Sequence, residues 1–320
     1  MHKLIALAKN PVPSGAIVGT FRGHDGVELR YARWEPTRGP RRGTICLFGG
    51  RTEFIEKYFE IIADLRRRGL GVVTMDWRGQ GGSLRPLANP RKCHVTDFAE
   101  YDRDLLRFMK DVVLPDCLPP FIALAHSMGG HLLIRNATTT GSWFDRMVIV
   151  APMLAFNRER VGYPDWFARG VAETAGAVRL GQLYVAGGSD IPEEMRAFEG
   201  NALTSNLERW SRNRSLLEAA PDLALGSPTF GWLRAAYRSM ARLAEPGTPA
   251  RVQVPLLIFS AGHDRVVSSR AIEEFANELK VGTHIFIPAS RHEILQENDD
   301  VRARFWAAFD AYLQVGVGAL

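Results

Sequence analysis

The sequence predicts an α/β protein in which a mostly parallel central sheet is flanked by helices and carries a helical cap inserted between two late strands. Short apolar runs rich in β-branched residues alternate with amphipathic stretches of helical spacing, a pattern typical of parallel sheets buried on both faces. The alternation stops over residues 152–250 and then resumes. A composition of 46% hydrophobic and 23% charged residues fits an ordinary folded protein of 320 residues.

Six apolar runs follow glycine or proline and are interpreted as buried strands of the parallel sheet. They lie at residues 44–48, 71–76, 121–125, 147–151, 256–260 and 284–288. Residues 27–31 instead alternate apolar with charged side chains, and this alternation predicts an antiparallel strand of an edge hairpin. Helices are predicted where apolar residues recur at helical spacing, at residues 53–68, 96–114, 269–279 and 300–313.

Residues 152–250 contain no convincing strand and are predicted to form a helical cap on a core built from residues 1–151 and 251–320. Pieces of the cap have helical spacing, at residues 165–177, 192–198, 206–217 and 229–243. A disordered linker is the alternative, but large aromatic side chains are costly to leave in water. We therefore expect the cap to bury its aromatic residues, Trp166, Phe167, Trp210, Phe230 and Trp232.

Charge and cysteine content exclude several classes of protein. The net charge of +5 and pI of about 9.3 are too small a basic surplus to indicate nucleic-acid binding. Three widely spaced cysteines, Cys46, Cys93 and Cys117, predict neither a disulfide framework nor a zinc site. The first ten residues lack a signal-peptide core, and the longest apolar run, residues 147–156, is far shorter than the ~20 residues of a membrane helix. We expect a cytoplasmic protein that contacts the inner membrane at most weakly and peripherally.

A serine follows the third predicted strand of the parallel sheet, in the run Ala125-His126-Ser127-Met128-Gly129. A nucleophile elbow needs small residues two positions before and two after the serine, because the tight turn presses them against the neighbouring strand and helix. Ala125 and Gly129 meet this requirement, although the general pattern has glycine at the first position. The alternative is a serine that only caps the following helix. The strand–turn–helix context favours Ser127 as a nucleophile.

A serine hydroxyl needs a histidine base and a carboxylate that orients it, and in this architecture they follow in the order serine, acid, histidine. Two loops after later strands supply the pair, Asp264 and His292, at the carboxyl edge of the sheet where ligand sites collect. Asp76 also ends a strand, but it precedes the serine, and its segment is better interpreted as a structural turn. His263 directly precedes Asp264, and a histidine next to its own carboxylate cannot easily also reach Ser127.

An acyl-transfer site also needs backbone N–H donors for the developing oxyanion, one after the nucleophile and one after the first parallel strand. The predicted donors are the amide of Met128 and the amide of either Arg51 or Gly50. Glycine at positions 49 and 50 lets the backbone approach a substrate, but a simple strand-ending turn predicts the same glycines.

These motifs resemble the α/β-hydrolase superfamily and, within it, the group of lysophospholipases and monoacylglycerol lipases, over nearly the whole chain. The resemblance rests on five motifs of the core, at residues 49–53 with 57–58, 76–81, 125–129, 262–264 and 290–293. Within the cap, residues 201–205 and 228–232 are similar to segments of bacterial lysophospholipase L2-type proteins. Gly49-Gly50 stands where animal monoacylglycerol lipases have His-Gly, which favours the bacterial group.

The resemblance implies hydrolysis of an acyl ester through an acyl-enzyme, with Ser127 as nucleophile, His292 as base and Asp264 as the orienting acid. No metal or organic cofactor is expected, and the partner is a small-molecule acyl ester or lysolipid. Two other functions stay open. An aminopeptidase or amidase on the same scaffold would use acidic residues of the cap to capture a substrate amine, and a non-catalytic binding protein would have a damaged triad. The residues predict no head group, acyl length or oligomeric state.

Overall fold

The computed structural model describes residues 3–139, 142–157 and 164–315 and centres on one eight-stranded sheet. In chain order the strands are β1 (Ile17–Arg22), β2 (Glu28–Trp34), β3 (Thr44–Phe48), β4 (Gly71–Met75), β5 (Phe121–His126), β6 (Arg146–Val150), β7 (Leu256–Ala261) and β8 (Gly282–Ile287). Their spatial order is β1-β2-β4-β3-β5-β6-β7-β8. The parts of the predicted core and cap at residues 1–2, 140–141, 158–163 and 316–320 lie outside the described residues.

The six strands from β3 to β8 all pair in parallel. The strand β2 pairs antiparallel with β1 on one side and with β4 on the other. The central strands are short runs of mainly apolar residues, and every residue of β3, β4 and β5 is buried. Such continuous apolar character is what a strand covered by helices on both faces requires. The α/β class predicted from the alternating pattern is therefore confirmed.

The prediction of an antiparallel strand of an edge hairpin at residues 27–31 is confirmed by β2, although its hairpin partner β1 was not predicted. The strand β2 pairs with β1 on one side and with β4 on the other, so β1 forms the edge. The sequence pattern missed β1 because glycine inside the strand weakens the alternation of side chains. The ring of Tyr31 occupies the space beside Gly19, where a Cβ would lie 2.8 Å from ring atoms.

Helices cover both faces of the sheet. In chain order they are α1 (Phe59–Arg67), α2 (Ala99–Phe108), α3 (Ser127–Ala137), α4 (Asp165–Ala177), α5 (Leu207–Ala219), α6 (Phe230–Leu243), α7 (Ser269–Asn277) and α8 (Asp299–Leu313). The predicted helix at 53–68 begins as a 3-10 turn over Ile55–Tyr58, and α2 continues through a π turn at Met109–Val113.

Two apolar cores lie on the two faces of the sheet. Helices α1 and α8 pack against one face, where Phe59 and Phe305 are buried. Helices α2, α3, α6 and α7 pack against the other, where Phe98, Leu132 and Trp232 are buried. Because Trp232 belongs to α6, part of the chain between β6 and β7 is anchored in the core of the protein.

The chain between β6 and β7, residues 152–250, contains α4, α5 and α6 and is called the inserted segment below. The strands β6 and β7 are adjacent and parallel in the sheet. The amide of Ala151 donates to the carbonyl of Phe259 over 2.8 Å, which continues this pairing to the point where the segment begins. The inserted segment therefore leaves and re-enters the sheet at neighbouring positions.

The expectation that the inserted segment buries all of its large aromatic residues is wrong for two of them. Trp210 and Trp232 are buried and Phe230 is half-buried, but Trp166 is 74% exposed and Phe167 is 44% exposed. Helix α4 packs on α6 and buries two of its small alanines, which leaves its aromatic side in solvent. The helix thus has an exposed apolar face.

Neither a disulfide bond nor a membrane-spanning helix is found in the part of the chain that the structure describes. The three cysteines are free thiols, and Cys46 and Cys93 are buried. Burial raises the pKa of both buried thiols above the ordinary value, so both stay protonated at neutral pH.

Candidate active site

Ser127 lies at the junction of β5 and α3, at the carboxyl edge of the sheet. Its backbone has a φ of 51°, in the left-handed region that the sharp strand-to-helix turn requires. Gly129 meets the steric requirement of this turn, since a Cβ there would lie 2.6 Å from the carbonyl oxygen of Gly49. The Ser127 hydroxyl contacts a histidine and caps no amide of α3, which disfavours the alternative of a capping serine.

The structure brings together the three residues that the sequence analysis grouped. His292 Nε2 lies 3.0 Å from Ser127 Oγ, and His292 Nδ1 lies 2.7 Å from Asp264 Oδ2. Asp264 follows β7 and His292 follows β8, and the carboxyl ends of these neighbouring parallel strands meet at one edge. All three side chains are buried. When Nδ1–H donates to the carboxylate, Nε2 is free to accept the hydroxyl proton.

Two backbone amides hold the Asp264 carboxylate in place. The amides of Val266 and Val267 donate to Oδ1 over 2.7 and 2.9 Å, while Oδ2 contacts His292. Burial alone would raise the pKa of Asp264, but His292 and these amides bring it below its ordinary value. An ionised carboxylate that cannot rotate orients the imidazole and stabilises an imidazolium beside it.

The two rival residues from the sequence analysis do not contact this group. Asp76 is buried and accepts hydrogen bonds from Arg30 Nε and from the amide of Gly82, each over 2.7 Å. His263 is exposed. Asp76 thus neutralises a buried arginine and shapes the turn after β4, as the interpretation of its segment as a structural turn predicts.

The loop after β3 approaches Ser127 and contains the two candidate donors, the amides of Gly50 and Arg51. A Cβ built on Gly50 would lie 3.0 Å from Ser127 Cβ, so the loop approaches Ser127 closely. The Gly50 amide donates to the Glu53 carboxylate, whereas the Arg51 amide has no hydrogen-bond partner among the described residues. The Met128 amide lies in the first turn of α3, where backbone amides have no carbonyl acceptor within the helix.

Two side chains of the turn after β4 brace this loop. Trp77 Nε1 donates to the Gly49 carbonyl over 3.0 Å, and Gln80 Nε2 donates to the Gly50 carbonyl over 2.7 Å. Gln80 Oε1 also accepts from the amide of Thr52, whose φ is 68°. The turn therefore positions the loop beside Ser127, and no local sequence pattern indicates this role.

The inserted segment holds the loop that carries His292. Arg291 Nη1 donates to the Thr204 carbonyl over 2.9 Å. One carboxylate oxygen of Glu297 accepts from the amides of Arg291 and Ser205, each over 3.0 Å. Thr204 and Ser205 belong to the stretch of the inserted segment that the sequence analysis singled out, and these contacts connect that stretch to the site.

One group of described side chains, His24, Asp25 and Asp104, has the spacing of metal ligands. Arg78 donates to both carboxylates, over 3.0 Å to Asp25 Oδ2 and over 2.9 Å to Asp104 Oδ1. Its guanidinium also lies 3.0 Å from His24 Nδ1. The group is therefore a salt-bridge cluster in which an arginine already neutralises the carboxylates.

A mostly parallel sheet flanked by helices, with a serine at left-handed φ that contacts a histidine from the loop after the last strand, defines the class of α/β-hydrolases. The model of one protein family matches this chain from just before β3 to the start of α8. The chain belongs to this family, described as serine aminopeptidase, S33, whose model matches residues 39–299.

Relatives of the chain include lysophospholipases and monoacylglycerol lipases. The chain is 31% identical to lysophospholipase L2 of Escherichia coli K12 over 294 residues, 88% of this chain and 83% of that protein. It is 28% identical to a monoacylglycerol lipase of Mycolicibacterium smegmatis over 133 residues, 42% of this chain and 45% of that one. The resemblance predicted from the motifs is thus confirmed.

Solved structures share the fold. A soluble variant of the monoglyceride lipase from Saccharomyces cerevisiae, in complex with a substrate analogue, superposes with a TM-score of 0.73 at 18% identity. The superposition covers 94% of this chain and 97% of the lipase chain. It therefore includes the inserted segment as well as the sheet.

Proposed function

We propose that the protein is a serine hydrolase that cleaves carboxylic esters of acyl lipids, of the lysophospholipase or monoacylglycerol lipase type, through an acyl-enzyme. The proposal is carried by the continuous hydrogen-bond chain from Ser127 Oγ through His292 to Asp264, with distances of 3.0 and 2.7 Å. The similarity to lysophospholipase L2 over 88% of the chain supports a lipid ester as the substrate class.

In the proposed mechanism the Ser127 hydroxyl attacks the acyl carbonyl while His292 Nε2 takes its proton. Asp264 keeps the imidazole in the required tautomer and stabilises the imidazolium. His292 then protonates the leaving alcohol, and the same nitrogen takes a proton from the water that releases the carboxylic acid from the acyl-enzyme. Every transferred proton therefore passes through one nitrogen atom.

The amides of Met128 and Arg51 are the proposed donors to the oxyanion of the tetrahedral intermediate. Gly50 is the alternative second donor, but its amide already donates to Glu53, which favours Arg51. The Arg51 side chain reaches the inserted segment, where Nη1 donates to the Gly226 carbonyl over 3.1 Å. Arg51 thus offers its amide to the substrate while its guanidinium holds the loop in place.

We expect kcat/KM for ester hydrolysis to fall on the acid side with a midpoint below pH 6.5, the ordinary pKa of histidine. Burial lowers the pKa of His292, and Asp264 opposes this shift only in part. The base must be neutral to accept a proton, so a lowered pKa keeps the enzyme active to a lower pH. A pH series with a dissolved short ester measures the midpoint, and a value above that of ordinary histidine would contradict His292 as the base.

An aminopeptidase would need a free acidic group in the inserted segment to capture the substrate amine. Glu194 is buried and lies 3.2 Å from Lys57 Nζ, so its charge is already neutralised. Glu193 lies 3.9 Å from Arg196, and Glu199 is exposed. Two of the three candidate acids thus already contact cations, which favours an ester over an aminoacyl substrate. A binding protein without catalysis is also disfavoured, because the three predicted triad members are present and in contact.

Covalent labelling together with a substrate panel tests the proposed function. We expect a fluorophosphonate to label Ser127, and p-nitrophenyl esters, lysophospholipids and monoacylglycerols to be cleaved faster than aminoacyl-naphthylamides. Mass spectrometry of the labelled peptide identifies the nucleophile. Faster cleavage of the naphthylamides would point to an aminopeptidase, and a wild-type protein that neither labels nor turns over would be a binding protein.

Ester hydrolysis is expected to improve as the acyl chain lengthens from acetyl to medium length, by up to ~0.8 kcal/mol per buried methylene. We propose that residues 152–250 act as a cap that covers the acyl chain, since ligand pockets are mostly apolar. The Trp232 ring lies 5.7 Å from the Arg51 guanidinium carbon, which brings α6 against the loop after β3. This loop contains Gly50 and Arg51 and is called the oxyanion loop below. The measurement is kcat/KM for p-nitrophenyl acetate, butyrate and octanoate. A preference for the acetyl ester would contradict an acyl pocket.

The exposed face of α4 is proposed to contact aggregated lipid substrate. The large apolar side chains on this face and just after it are all more than a third exposed, and we call them the apolar patch: Trp166, Phe167, Val171, Val178, Leu180 and Leu183. Residues 152–250 carry 11 Arg against 11 Asp plus Glu, so they have no basic surplus to attract an anionic membrane. Contact with lipid is therefore proposed to be weak, apolar and insensitive to salt.

Trp166→Ser is expected to lower kcat/KM for micellar substrate by roughly 10-fold, because burying a large apolar side chain is worth ~1.5–3 kcal/mol. Hydrolysis of a dissolved short ester should not change. Leu118→Ser is the matched control, since Leu118 is 51% exposed and lies beside Thr44 at the opposite end of the strands. Equal losses on both substrates, or vesicle binding that disappears at high salt, would contradict the apolar contact.

A further inference from the structure

A buried lysine next to the candidate active site contacts three carboxylates. Lys57 lies in the 3-10 turn before α1 and is 1% exposed. Its Nζ lies 2.6 Å from Glu293, 3.2 Å from Glu194 and 3.5 Å from Glu53. All three glutamates are buried as well. These four residues are called the buried lysine cluster below.

Each glutamate of the buried lysine cluster belongs to a different part of the molecule. Glu293 directly follows His292, so its carboxylate holds the loop of the proposed base. Glu53 belongs to the loop after β3, which carries the proposed oxyanion donor, and Glu194 belongs to the inserted segment. One ammonium group thus connects two loops of the site with the inserted segment.

The Glu53 carboxylate extends the contacts to the nucleophile. Its Oε2 accepts from the Gly50 amide and from the Tyr58 hydroxyl, and it lies 3.1 Å from His126 Nδ1. His126 is the residue before the nucleophile, and its Nε2 lies 3.2 Å from the carbonyl oxygen of His292. The cluster therefore reaches the nucleophile, the base and the oxyanion loop without touching a reacting atom.

Charges in and around the cluster nearly balance. Both neighbours of His126, a carboxylate and a carbonyl, only accept hydrogen bonds, so the ring that satisfies both is the imidazolium. Burial opposes this charge, but Glu53 raises the pKa of His126 above its ordinary value. Burial, opposed by Lys57, raises the pKa of Glu293 above its ordinary value. Removing the ammonium would leave buried carboxylates without their cation, which is strongly unfavourable.

We propose that Lys57 is a positioning residue for the hydrolysis: through Glu53 and Glu293 it fixes the oxyanion loop and the loop of the base relative to each other. This inference rests on the proposed function. A misplacement of reacting groups by ~1 Å can slow a reaction ~10²-fold. A buried ion pair, in contrast, adds little net stability over apolar side chains of the same volume. Removal of Lys57 alone, however, leaves buried carboxylates unpaired and lowers stability, so its positioning role is measured in kcat per competent site rather than in stability.

Lys57→Met tests the inference, because it removes the cation and keeps most of the side-chain volume. A fluorophosphonate first titrates the reactive serine, so that kcat is expressed per competent site. We expect kcat for a dissolved short ester to fall roughly 10- to 100-fold with KM changed by less than about 3-fold. Arg135→Met is the matched control, since Arg135 is a buried cation whose hydrogen bonds go to Asp102 and Ser239. It should lower the melting temperature and keep kcat per site.

Glu293→Gln keeps the inference testable if Lys57→Met does not fold. It leaves Lys57 with two glutamates and removes one buried negative charge, so the protein should be at least as stable as the wild type. We expect kcat per titrated site to fall nevertheless, because the loop of the base loses its ion pair. Wild-type kcat per site in both variants would overturn the inference, and so would an equal loss in Arg135→Met. A wild-type protein that the fluorophosphonate does not label would instead refute the proposed function.

Discussion

Ser127→Ala is expected to lower ester hydrolysis by ~10⁴- to 10⁶-fold while the protein remains folded. A methyl group has no lone pair to attack the acyl carbonyl, so the acyl-enzyme cannot form. The fold should persist because alanine can occupy the same left-handed φ of 51° and the lost hydroxyl leaves almost no cavity. The measurement is kcat/KM on a p-nitrophenyl ester, with circular dichroism and thermal unfolding as the checks on folding.

Ser260→Ala is the matched control for this loss. Ser260 is also a buried serine next to a histidine, with its Oγ 2.7 Å from His284 Nε2. It lies inside β7, with no elbow turn and no place beside the oxyanion loop. Its removal should leave activity within about threefold of the wild type, whereas a Ser127→Ala variant that kept about a tenth of the activity would refute the assignment.

His292→Ala is expected to lose as much activity as Ser127→Ala, and the double variant should lose little more. The hydroxyl and the imidazole act in one proton-transfer step, at a separation of 3.0 Å, so removing either partner disables the same step. The measurement is kcat/KM for both single variants and the double variant, corrected for the folded fraction. The residual rate in all three comes from binding and the oxyanion donors.

His284→Ala serves as the control for this second prediction. His284 contacts a serine as His292 does, but it lies within β8 and not in the loop after it. We expect the control variant to retain activity. Losses that multiply in the Ser127→Ala/His292→Ala protein would show that the two residues act in separate steps.

The three central residues of the candidate site were predictable from the sequence because local patterns place them. The small residues around Ser127 indicate a sharp turn after a strand, and the chain order serine, acid, histidine selects Asp264 and His292. Both loops follow strands of one parallel sheet, so their ends meet at the same edge. Short-range patterning and topology together were sufficient for this part.

The supporting contacts were not predictable, because they join residues far apart in the chain. Lys57 and Glu293 are separated by 236 positions and meet only once the sheet and the inserted segment are folded. The exposure of Trp166 was also missed, because aromatic composition indicates burial on average, while packing decides which side of a helix is covered. In the same way, β1 has too weak an alternation to be recognised without its partner strand.

The position of the inserted segment bears on how proteins with this architecture can diversify. Because β6 and β7 are neighbours, one intervening segment can be replaced by another without disturbing the strand order or the hydrogen-bond ladder. The contacts of Thr204 and Ser205 with the loop of His292 limit this freedom. A recombination event that exchanged only the segment would separate the loop of His292 from its support. Productive chimaeras therefore have to inherit residues 152–250 and 290–297 together, which couples the evolution of the inserted segment to that of the loop of His292.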